Sequence, residues 1–69
     1  MANTFIELGN NIRKARKTLG ISQEELAYRI KRDTRTVVAL ENGKRNPTLK
    51  TLKNICSALK ISSSELLTF

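Results

Sequence analysis

A chain of 69 residues with 39% apolar side chains, one Pro and three Gly is composed for one small packed core, so a single domain over 1–69 is expected and disordered, collagen-like and low-complexity classes are excluded. Lys and Arg number 13 against 6 acids, a net charge of +7 that points to polyanions as partners. With no His and a lone cysteine, Cys56, the sequence offers no base titrating near neutrality, no Cys/His zinc cluster and no disulfide within the chain, so neither an enzyme nor a metal or cofactor site is expected.

Phe5, Leu8, Ile12, Ala15 and Leu19 recur every three or four residues, which predicts a helix of about four turns with one apolar stripe. Thr4 and Glu7 spell a capping box at its start, and Gly20 suits the left-handed turn at its end. Gly9 inside the pattern costs about 1 kcal/mol relative to Ala. Ser22 and Glu25 open a second, shorter helix that buries Leu26, Ala27 and Ile30 and ends near Ile30. Its neighbour Tyr28 reads as a partly packed helix residue.

Lys31, Arg32 and Asp33 leave room only for a tight turn, with Asp33 placed to accept from the free amides of a third helix over 34 to about 42. Val37 and Leu40 are its buried positions, Arg35, Val38 and Ala39 lie on its other faces, and Gly43 ends it. Pro47 forces Asn46 out of helical geometry, and Thr48 caps a fourth helix with the stripe Leu49, Leu52, Ile55, Cys56 and Leu59, on which Cys56 is a buried, inert thiol. Ser62 and Glu65 form a last capping box before Leu66 and Leu67. No apolar run approaches the ~20 residues of a membrane span, and residues 1–5 lack the basic and apolar regions of a secretory leader, so a cytoplasmic location without membrane attachment is expected.

Two short helices joined by a tight turn, Gln23 to Leu40, form a unit whose second helix can be presented to a DNA major groove. Ala27 falls where the two helices cross and demands a small side chain. From Leu8-Gly9, Ile12-Arg13 and Arg16, through Gly20-Ile21-Ser22-Gln23-Glu24-Glu25-Leu26-Ala27, to Leu40-Glu41-Asn42-Gly43-Lys44, Pro47, Ala58-Leu59 and Glu65-Leu66-Leu67, the chain resembles the phage repressor and Cro-like helix-turn-helix family. Restriction-modification controller proteins are among that family's members.

The resemblance implies an all-α fold of five helices that reads double-stranded DNA with the third and regulates transcription. It assigns base contacts to Thr34, Arg35, Val38 and Ala39 and a phosphate contact to Gln23. An Arg35 guanidinium can donate two parallel hydrogen bonds to guanine O6 and N7 or, alternatively, bind phosphate; Val38 and Ala39 offer apolar contact to a thymine methyl or shape fitting alone. Thr36, Asn42, Lys44 and Arg45 are expected to flank the groove on phosphate. The family pattern also pairs Arg16 with Glu41 as a structural ion pair. Lys31 departs from the pattern, standing where the turn usually holds Gly in a left-handed conformation, at a cost of roughly 1–2 kcal/mol.

A single motif makes few contacts, so a homodimer on a pseudo-palindromic operator is expected, with half-sites ~34 Å apart. The loop between the third and fourth helices, or Ile61, Leu66, Leu67 and Phe69, would join the protomers. No small-molecule effector is expected. An antitoxin of the same fold that binds a toxin as well as DNA is the rival reading. A basic membrane-surface helix built on Arg13, Lys14, Arg16 and Lys17 is disfavoured, because the core needs that helix's apolar stripe.

Overall fold

The turns of this chain are closed by side chains next to them in sequence. In the computed structural model, which describes residues 4–68, these turns separate five helices and no strand is present among the described residues: α1 (Thr4–Leu19), α2 (Gln23–Arg29), α3 (Thr34–Glu41), α4 (Leu49–Leu59) and α5 (Ser63–Leu66). The fold is all-α, as the sequence implies. Ser22, Asp33, Thr48 and Ser62 each sit in extended geometry and accept a first-turn amide, from Glu25, Arg35, Thr51 and Glu65 respectively. Each such cap stabilises its helix by about 1 kcal/mol.

Two of the three expected capping boxes differ in detail. Thr4 lies within α1 and not before it, and residues 1–3 are outside the described residues. At Ser22 only half the box forms, because the Glu25 carboxylate accepts from Arg29 Nε at 2.8 Å instead. At Ser62 the box is complete. Gly20 closes α1 at φ +79°, and two lysines also take the left-handed conformation: Lys31 in the α2–α3 turn at φ 57° and Lys60 at the end of α4 at φ 58°. The first stands where the helix-turn-helix pattern calls for that geometry. No glycine, asparagine or motif in the sequence marks the second.

Leu8, Ile12, Leu26, Ala27, Ile30, Val37, Leu40, Ile55, Leu59 and Leu66 form the buried core. The stripe expected on α4 is displaced. Its innermost face is Thr51, Ile55 and Leu59, four residues apart, while Leu52 and Cys56 are half-buried on the neighbouring face and Leu49 is 76% exposed. Thr51 tolerates burial because its hydroxyl is hydrogen-bonded to Thr48 Oγ1 at 3.0 Å. Phe5, at the far end of the α1 stripe, is exposed, and Tyr28 is 79% exposed rather than packed. Burial pushes the half-buried Cys56 thiol above its ordinary pKa.

Helix α3 packs against both α1 and α2, and α4 touches α1, α2 and α5. Two cross-links tie the last helices in: Asn11 Nδ2 donates to Leu66 O at 2.8 Å and Arg29 Nη1 to Ala58 O at 3.2 Å. At the α1–α3 crossing the main chains nearly touch, for a Cβ on Gly9 would lie 2.5 Å from Leu40 O and 2.6 Å from Glu41 O. Gly9 is therefore a packing requirement, and its helix-propensity cost is secondary.

Candidate nucleic-acid interface

With Val37 and Leu40 turned inward, α3 presents an outward arc made of Thr34, Arg35, Val38, Ala39 and Asn42. Arg35 is the most prominent of these, its side chain 92% exposed; Val38 and Asn42 are also exposed, and Thr34 and Ala39 are half-buried. Thr36 lies outside this arc, half-buried. Cations stand at both ends of the helix: Lys31 and Arg32 precede it, and Lys44 and Arg45 follow it, all four exposed. The loop bearing the second pair leaves α3 through a backbone hydrogen bond from Lys44 N to Ala39 O at 2.9 Å.

What holds this helix in place is a buried acid at its last residue. Glu41, with a fully buried side chain, receives Arg16 Nε at 2.6 Å on Oε2 and Arg16 Nη2 at 3.1 Å on Oε1. Gln23 Nε2 donates to the same Oε1 at 3.1 Å, and Arg13 Nε stands 3.5 Å from it. Arg16 also reaches Ile21 O through Nη1 at 2.9 Å, so no buried side-chain polar atom among the described residues lacks a partner. Burial pushes the Glu41 carboxyl up, but the hydrogen bonds from Arg16 and Gln23, the Arg16 charge and Arg13 outweigh it and hold the group below its ordinary value. Arg16 is raised correspondingly, first by its hydrogen bond to Glu41.

Gln23 thus directs its amide nitrogen into the protein, at the junction of three helices, and not outward from α2. Arg13, unassigned by sequence reasoning, donates to Asn42 Oδ1 at 3.0 Å and so orients a side chain of the arc. Its signal was present: it lies three residues before Arg16 and shares a side of α1 with it. Asp33 was read only as a cap. Its carboxylate accepts Arg35 N–H on Oδ1 at 3.0 Å, and it also pairs with the Arg35 guanidinium, Oδ2 to Nη2 at 3.0 Å and Oδ1 to Nε at 3.5 Å. The guanidinium contact holds the Asp33 carboxyl below its usual range and raises Arg35.

The helix-turn-helix family model matches residues 12–66. The chain is 41% identical over 67 residues, 96% of its own length and 90% of the relative's, to control protein C.MunI of a Mycoplasma species. Its fold superposes with a TM-score of 0.87 and 34% identity on the restriction-modification controller protein C.AhdI from Aeromonas hydrophila, covering 90% of this chain and 94% of that one. The clp gene regulator ClgR from C. glutamicum superposes with a TM-score of 0.93 at 25% identity, over 99% of this chain and 88% of that one.

Proposed function

We propose, from the premise that the chain belongs to the helix-turn-helix family of DNA-binding transcription regulators, that it reads specific double-stranded sites by placing the outward arc of α3 in the major groove. The observation that carries this reading is that arc itself: an exposed Arg35 on a helix clamped from behind and flanked at both ends by cations. Arg35 donates to a guanine edge, Thr34 contacts a base beside it, and Val38 and Ala39 meet thymine methyls. Lys44 and Arg45, with Asn42, Thr36 and Gln23, bind the phosphates that set the register. Of these, Gln23 has one amide hydrogen already engaged by Glu41, so its contribution is the smallest.

The protein acts as a symmetric dimer on a pseudo-palindromic operator. The largely apolar cleft between α4 and α5, lined by Leu49, Leu52, Cys56, Leu66 and Leu67 with Lys53 and Ser63 beside them, supports this, because Leu49 and Leu67 stay 76% and 43% exposed on one protomer. Leu66 and Ile61 serve the protomer's own core, and Phe69 lies outside the described residues.

Selection of duplexes from a random library tests the reading. Wild-type protein enriches a two-half-site sequence; Arg35→Ala relaxes the preference at one symmetric base pair; Lys44→Ala weakens binding to all sequences alike and makes the salt slope shallower by about one unit. Enrichment of no sequence over any other overturns it.

A further inference from the structure

We propose that Asp33 is a positioning residue for base recognition, holding one edge of the Arg35 guanidinium so that its other edge is presented to a guanine. The inference rests on the role of Arg35 given above and deepens it. A guanidinium has two forked edges, each with two parallel donors. The Nε–Nη2 edge faces the Asp33 carboxylate, at 3.5 and 3.0 Å. On the Nη1–Nη2 edge, the second Nη2 hydrogen and an Nη1 hydrogen are left outside the Asp33 contact, and these two donors match the O6 and N7 acceptors of guanine.

An exposed ion pair is by itself weak and flexible. This one differs because the carboxylate is not on a free side chain: Oδ1 is also fastened to Arg35 N–H at 3.0 Å as the α3 cap, in extended geometry at φ −69° and ψ 145°. The guanidinium is therefore referenced to the first turn of α3 and not merely to its own long stem. Arg35 then loses less freedom when it meets a base, and the pair strengthens as the groove excludes water. The same carboxylate repels phosphate oxygens, which disfavours the phosphate contact open to any exposed arginine. Asp33 accordingly trades general affinity for selectivity.

The experiment compares Asp33→Asn and Asp33→Ser with wild type on the duplex enriched from the random library, on that duplex with the base pair read by Arg35 replaced, and on an unrelated duplex. Both substitutions retain an acceptor for the α3 cap, and thermal melting verifies that each variant is folded. The expected result is that the ratio of affinities at that base pair falls by about fivefold or more, while affinity for the unrelated duplex rises. A cap role alone leaves the ratio unchanged in both folded variants, and that result overturns the inference while leaving Arg35 as a base reader. If Arg35→Ala alters no single-base preference, the base-reading role fails and the inference with it.

Discussion

A single methyl group separates Gly9 from collision with the main chain of α3. Helix propensity alone favours Gly9→Ala by about 1 kcal/mol. The added Cβ, however, would sit 2.5 Å from Leu40 O, and a carbonyl within a helix has no side-chain freedom with which to yield. Forcing the helices apart costs about 1–3 kcal/mol or more, so Gly9→Ala is expected to lower the urea midpoint with an unchanged m-value. A more stable variant would contradict this account of Gly9. The apolar spacing of α1 did not announce this, since spacing along one helix carries no information on how near another comes. Lys31 was legible for the opposite reason: its left-handed geometry belongs to the turn of a recognisable motif, whereas the same geometry at Lys60 belongs to no such pattern.

At the scale of elements, α3 is fixed by a carboxylate that α1 and α2 both grip. Glu41→Gln keeps the shape and removes the charge, leaving the Arg16 guanidinium buried without its counter-ion at an expected cost of about 3 kcal/mol or more. The pH dependence has a definite sign. Glu41 titrates lower in the folded chain than in the unfolded one, so the unfolded state binds more protons as the solution is acidified. The stabilisation is complete above the unfolded value and is lost as pH falls through the lowered folded value. Asp33 contributes in the same direction, so the difference between wild type and Glu41→Gln, followed by urea denaturation from neutral to acid pH, isolates Glu41. That difference should shrink below the ordinary carboxylate range; a constant difference would contradict the assignment. Helix ends were legible because Ser22, Asp33, Thr48 and Ser62 are local signals. The inner face of α4 was not, because Thr51 is polar and its burial depends on a hydroxyl partner at Thr48.

At the scale of the whole molecule, a net charge of +7 would set the two protomers of the proposed dimer against each other, and apolar contact would have to overcome that repulsion. Leu67→Lys adds a further cation to the α4–α5 cleft beside Lys53, at a position already 43% exposed, so the protomer should keep its helical content. Sedimentation should shift toward monomer, and affinity for a two-half-site duplex should fall by about tenfold or more. A wild-type protein that sediments as a monomer and occupies each half-site independently would refute the dimer. The backbone contact at Gly9 has a further consequence for such a complex. With no layer of side chains between α1 and α3 there, α3 has little room to roll on its support. If α3 reads DNA as proposed, adjustment to an imperfect site would fall to the duplex, and sequences with easily deformed pyrimidine–purine steps would be favoured even at base pairs that no side chain touches.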